Sequence, residues 1–165
     1  MLAAGPWRNR ITRYGEEAPD QLLAHEKNWR IHPGAQQRAL KGVLETVGLV
    51  QNVIVSERSG KCLDGHLRIQ MAISEGQPTV PITYVDLSPE EEEAILCTLD
   101  PLSAMAVKDE AIFSDLVSGM DEAFKTLVDA TAVKLEAEVG MNQDPEVKTC
   151  KCPECGFEFT VGVAT

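Results

Sequence analysis

The sequence predicts an α+β domain, and three observations predict it. Val53-Ile54-Val55 and Lys61-Cys62-Leu63 flank Ser59-Gly60 and read as a hairpin. Gly65 separates the second run from Leu67, Ile69, Met71, Ala72 and Ile73, which recur often enough for a half-buried helix. A further apolar run over residues 80–85 follows the breakers Gly76 and Pro78. With a helix ahead of the hairpin, the order is helix, strand, strand, helix, strand, which closes one compact unit.

Taken from the start, residues 11–14 suggest a strand and residues 18–23 a turn or single helical turn around Pro19. Residues 28–33 read as a loop, with Trp29 as a core anchor rather than a stacking platform. A helix is expected over residues 35–47, with Leu40, Val43, Leu44 and Val47 on one face and Gly48 as its stop. Ser88-Pro89-Glu90-Glu91 places Ser at a cap, Pro at the first helical position and Glu three residues after the cap. The acidic run at 90–93 then reads as a solvated first turn, Cys97 as a buried small residue, and Asp100-Pro101 as the end of that helix. Two more helices, over residues 109–118 and 121–139, are divided at Gly119-Met120.

At 165 residues and 44% hydrophobic composition the chain supports one ordinary core and an appendage. Gly5, Pro6, Arg8 and Arg10 interrupt any leading apolar run, and no stretch approaches membrane-spanning length, so a cytoplasmic protein without membrane attachment is expected. The net charge of -11 is unevenly spread: residues 1–72 carry 10 Lys and Arg against 7 Asp and Glu, residues 73–165 carry 5 against 19. A phosphate-binding face therefore belongs to the first half, and a DNA-reading helix is not expected over residues 101–147.

The segment Asp64-Gly65-His66-Leu67-Arg68 puts a glycine, an imidazole and a guanidinium where strand turns into helix. The free N–H groups of the first helical turn carry a partial positive charge, which outlines an anion site. Gly65 permits close backbone approach, and the Arg68 fork suits phosphate oxygens. His66 is a phosphate donor, a general acid or base, or simply an exposed side chain. Asp64 is expected first as a cap of the helix and second as a ligand of magnesium.

Taken together, Asn28-Trp29-Arg30-Ile31-His32-Pro33, Gln36 and Leu40, Gly48-Leu49-Val50-Gln51-Asn52-Val53-Ile54-Val55, Asp64-Gly65-His66-Leu67-Arg68 with Ala72, and Val80-Pro81-Ile82 resemble the ParB N-terminal domain family, of ParB/sulfiredoxin fold. The continuation through Thr98-Leu99-Asp100-Pro101-Leu102 is similar to the phage and bacterial branch known as ParB-like nuclease domains. The resemblance implies a small mixed sheet with helices over residues 11–105, followed here by an acidic helical extension, 106–140, and a Cys-rich tail, 146–165. It implies that a nucleoside triphosphate with Mg2+, or a nucleic-acid phosphate, sits over the glycine turn. Gly65, His66 and Arg68 would then bind phosphate, with Asn28, Arg30, His32 and Gln36 as further walls of the pocket. Where partition proteins of the family carry an extra Glu-Arg pair, this chain has His66 and Leu67, which argues against CTP specificity. Sulfiredoxin places its reactive cysteine directly after the glycine of this turn, where this chain has His66, so that repair chemistry is not expected.

In the tail, Cys150-Lys151-Cys152-Pro153-Glu154-Cys155-Gly156 resembles one knuckle of a zinc ribbon. It offers three thiolates where structural Zn2+ takes four ligands. Three functions follow as expectations. The first is a phosphate-binding module for nucleotide or DNA in a phage or mobile-element DNA transaction. The second is a metal-dependent nuclease or nucleotide hydrolase using Asp64, His66 and Arg68 catalytically. The third is a zinc-assisted adaptor that engages a DNA-modifying enzyme or a second copy of itself.

Overall fold

The computed structural model describes residues 6–140, 147–151 and 158–162, with side chains over residues 6–131. The chain divides into two compact units, residues 1–120 and 121–165.

The first unit is built on a five-stranded mixed sheet. Its strands are β1 (Ile11–Glu17), β2 (Leu23–Ala24), β3 (Val53–Ser56), β4 (Lys61–Asp64) and β5 (Val80–Val85). The order across the sheet is β1-β5-β3-β4-β2. β3 is central, antiparallel to β4 and parallel to β5; β1 runs antiparallel to β5, and the two-residue β2 runs parallel to β4. The β-branched run that predicts β3 suits this position, with Val53 and Val55 at 0% and 2% exposure.

Helices cover both faces. α1 (Gly34–Thr46) precedes the hairpin, and α2 (His66–Ser74) joins β4 to β5. Val53, Val55, Cys62, Val80, Ile82 and Tyr84 pack with Ile69 and Ala72 of α2. On the other face Leu63 packs with Leu87 and with Leu96 of α3 (Pro89–Ala104), flanked by Ile54, Val85 and Ile95. The alternation buried, half-buried along β5 is what a strand covered more heavily on one side requires. α4 (Glu110–Ser118) follows, its N-terminus capped by Asp109, whose Oδ1 accepts from the backbone N–H groups of Ala111 and Ile112. The second unit contains α5 (Glu122–Gly140) and an antiparallel pair, β6 (Val147–Lys151) and β7 (Glu158–Gly162).

Four expectations about the fold need correction. α3 does not stop at Asp100-Pro101 but runs on to Ala104. Pro101 removes the donor owed to the Cys97 carbonyl, and in the same turn the Leu96 carbonyl accepts from Trp29 Nε1 at 3.1 Å and Arg30 Nη2 at 3.3 Å. Trp29 is consequently not a core anchor: it is 56% exposed and held by its polar edge. Cys97 is exposed, not buried. The acidic run at 90–93 is not uniformly solvated, because Glu92 is 4% exposed and accepts from Ser56 Oγ and Ser59 Oγ.

Its neighbour Glu91 completes the capping box with Ser88. It also takes both forks of Arg10, at 2.8 and 2.7 Å, tying the residue before β1 to the start of α3. The Arg10 bonds, and the backbone N–H of Ser88, hold the Glu91 carboxyl down to about 2. A carboxyl held below its unfolded value of 4.5 contributes stability above that value, which is lost as pH falls through about 2. Glu91→Gln is therefore expected to lower the denaturation midpoint at pH 7 and to flatten the pH dependence of stability between 4.5 and 2. Unfolding curves of both proteins across that range check this; parallel curves would contradict it.

Candidate phosphate site at the start of helix α2

β4 ends at Asp64, and α2 begins two residues later. Gly65 makes that transition with φ at 99°, in the left-handed region. A Cβ there would stand 3.0 Å from Val53 Cγ2 and 3.2 Å from the Val53 Cα, so the central strand passes directly against the turn. Glycine is needed for both reasons, conformation and room.

Gly65 occupies the cap position, and among the described residues no side chain accepts from the first-turn N–H groups. Asp64, expected first as the cap, turns instead to Arg68, whose Nη2 donates to its Oδ2 at 2.8 Å. Arg68 also donates to Gln51 Oε1 at 3.0 Å and to the Asn52 carbonyl at 3.3 Å. The guanidinium is thereby fixed beside the helix start, on the loop that leads into β3. It also lines a cleft of about 340 Å³ between α1 and α2, whose other walls include Lys41, Leu44, Leu49, Met71 and Val80.

His66 is the first residue of α2 and 7% exposed, and both of its ring nitrogens are buried without a hydrogen-bond partner among the described residues. Leaving a buried polar ring unpaired is costly. Burial, followed by the charge of Arg30, pushes its pKa below the ordinary 6.5, so the ring is neutral at pH 7; Asp64 opposes this, and His32 and His25 reinforce it. His32 has its Nδ1 3.0 Å from Gln36 Oε1, while its Nε2 is buried and unpartnered.

The remaining expected residues serve the frame. Arg30 pairs with Asp100 and donates to the carbonyls of Leu63 and Leu96, clamping the loop to both β4 and α3. Asn28 Oδ1 accepts from the Arg30 backbone N–H at 3.4 Å, a bond that shapes the loop. Cys62 in β4 is buried, and burial pushes its thiol up to about 12, so it is no thiolate. Among the described residues no three His, Cys, Asp or Glu side chains come together as a metal-holding group. Cys152 and Cys155 lie outside the described residues, as does the side chain of Cys150 in β6. No described helix is long and apolar enough to cross a membrane.

Sequence reasoning missed His25 and Glu92. His25 is 6% exposed, with Nε2 3.6 Å from Glu92 Oε2 and Nδ1 accepting from the Lys27 N–H. Glu92 stands four residues before the buried Leu96, and that spacing on one helical face was the available signal.

With this geometry in hand, the comparison with solved structures is direct. A C-terminally truncated chromosome-partitioning protein ParB from Caulobacter crescentus, complexed with CTP-gamma-S, matches with a TM-score of 0.55 and 18% identity over 69% of this chain. The first unit has a ParB/sulfiredoxin-like fold. This likeness concerns architecture, and the matched part is 66% of the Caulobacter chain. Two structures of a pNOB8-like ParB N-domain match at TM-scores of 0.48 and 0.47, with 14% and 16% identity over 93% and 94% of this chain and 59% and 56% of theirs. No family model and no curated protein matches the chain.

The Gly65 turn yields a measurable cost. Gly65→Ala is expected to destabilise the protein by roughly 1–3 kcal/mol through left-handed strain alone, with the Val53 contact adding to it. Urea unfolding measures this; an unchanged midpoint would show that the turn relaxes freely.

Proposed function

We propose that the ParB/sulfiredoxin-like unit is a binding module that holds a phosphate of a nucleotide or nucleic acid over the start of α2, in service of a phage or mobile-element DNA transaction. The observation that carries this reading is an uncapped helix start beside a buried His66 whose two ring nitrogens lack partners. A helix N-terminus favours an anion through its N–H groups and dipole. Gly65 makes the left-handed turn from which α2 starts, and Asp64, Gln51 and the Asn52 carbonyl hold the Arg68 guanidinium beside it, with its Nε buried and without a partner among the described residues. The α1–α2 cleft that Arg68 also lines gives room for the rest of a nucleotide. The fold likeness to a partitioning protein solved with CTP-gamma-S agrees with a nucleotide ligand.

Binding has more support than hydrolysis. The carboxylate that a metal-dependent reaction would need, Asp64, is paired with Arg68, and the only imidazole at the first helical position is buried and neutral. A nuclease or nucleotide hydrolase would declare itself by product formation that depends on Asp64, His66 and Arg68.

Thermal unfolding with ATP, CTP, GTP, UTP and a short DNA duplex, each with and without Mg2+, tests the reading. A ligand at about 100 times its dissociation constant adds roughly 2.7 kcal/mol, visible as a rise of several degrees in midpoint. The rise is expected with at least one nucleotide and is expected to be lost in Arg68→Ala. No rise with any ligand, or an equal rise in the variant, would contradict the proposal.

A further inference from the structure

β1 is a terminal strand of the five-stranded sheet, and among the described residues no strand lies on its outer side. None of its residues is buried, and Tyr14 is 68% exposed. Which of its backbone groups face outward follows from β5. The Asp86 N–H donates to the Arg10 carbonyl, whereas the Val85 carbonyl accepts from the N–H of Glu57, just past β3. Even-numbered residues of β5 therefore face β1 and odd-numbered ones face β3; Pro81, which has no N–H, falls among the latter. Arg13, Gly15 and Glu17, opposite Tyr84, Ile82 and Val80, commit their backbone groups to β5. The N–H and C=O groups of Tyr14 and Glu16 point the other way, into the open edge.

At its head this edge is closed. The register shifts between Ile11 and Arg13, and Asn9 Oδ1 takes the Ile11 N–H at 3.0 Å. From Tyr14 to Glu16 it is open, and the residue between them is glycine. A Cβ at Gly15 would stand 3.4 Å from Tyr84 Cε2 and 3.5 Å from Arg13 Nη1. Glycine inside a strand also lets a second backbone come close. On the same face the Arg13 guanidinium lies 3.3 Å from the Tyr84 ring centroid and gives its Nε to Glu57 at 3.0 Å, while Glu17 accepts from the Tyr84 hydroxyl. Glu16, on the opposite face, accepts from Thr79 Oγ1 at 2.9 Å. The open edge thus carries a cation at one end and two carboxylates at the other.

We propose that this edge pairs antiparallel with β1 of a second copy of the chain, with Gly15 facing Gly15 across a two-fold axis. Two-fold pairing joins outward-facing residues, which leaves Tyr14 opposite Tyr14, Tyr14 opposite Glu16, or Glu16 opposite Glu16. The last sets glutamates against each other, and the first sets Arg13 opposite a glycine. Tyr14 opposite Glu16 places Arg13 of each copy directly opposite Glu17 of the other, twice by symmetry. It also puts Gly15 on the axis as a non-hydrogen-bonded pair, where strands come closest. Tyr14 and Glu16 of the two copies then exchange the N–H···O bonds that β1 leaves unmade. This self-complementary order of charge is what selects a second copy over an unrelated strand. The surface is separate from the start of α2 and does not depend on the phosphate reading.

Sedimentation equilibrium of the full chain under reducing conditions, from micromolar to submillimolar concentration, tests this. Wild-type protein is expected to pass from monomer toward dimer. Arg13→Glu sets like charges opposite each other at both ends of the pairing and is expected to weaken association by about tenfold. Adding Glu17→Arg to that variant restores opposite charges and is expected to recover it. A monomer at every concentration, equal association in Arg13→Glu, or a loss that Glu17→Arg does not reverse would overturn the inference. Amide hydrogen exchange in wild-type protein reads the interface without a variant. The Tyr14 and Glu16 amides are expected to slow with rising concentration more than those of Arg13, Gly15 and Glu17, which β5 already holds. A dimer that leaves the Tyr14 and Glu16 amides unchanged would place the contact elsewhere and overturn the inference.

Discussion

The left-handed turn at Gly65 is the constraint on which the rest of the site depends. At φ 99° it lets β4 run directly into α2 with no intervening loop. A Cβ added there would meet the Val53 backbone of the central strand, so the turn lies against the most buried part of the sheet. Because glycine offers no capping oxygen, the first-turn N–H groups stay open. A side chain at this position would add strain and press on Val53 and the Arg68 guanidinium.

Around that opening the protein arranges its charges in pairs. Asp64 and Arg68, one turn apart, are half withdrawn from solvent, and Arg30 reaches through the loop to Asp100 of α3. These bonds order the walls while adding no net charge. Arg30 contributes most of its hydrogen-bonding capacity to structure, donating to the carbonyls of Leu63 and Leu96. The buried groups left without a partner among the described residues are His32 Nε2, both ring nitrogens of His66 and the Nε atoms of Arg30 and Arg68.

Much of the frame was legible because it is written in local spacing. The hairpin around Ser59-Gly60, the glycine before α2, the strand Val80–Val85 and the Ser88 capping box each follow from neighbours within a few residues. What was not legible depends on partners distant in sequence. Trp29 lies outside the core because its ring N–H finds the Leu96 carbonyl, and Glu92 lies inside because Ser56, Ser59 and His25 surround its carboxylate. Asp64 looked like a cap by position, yet Arg68 four residues on is the stronger partner. In the candidate site, Gly65 and Arg68 could be named from the sequence, whereas the burial and isolation of His66 could not, since both depend on how the loop at 25–32 folds over it.

The central claim is that an anion seats on the first-turn N–H groups of α2, and amide NMR tests it most directly. Titration with inorganic tripolyphosphate is predicted to shift the backbone amides of Gly65, His66, Leu67 and Arg68 more than any others, saturating together with the His66 ring. Shifts confined instead to the arginine-rich segment at Arg8, Arg10 and Arg13, or none at millimolar ligand, would contradict the account.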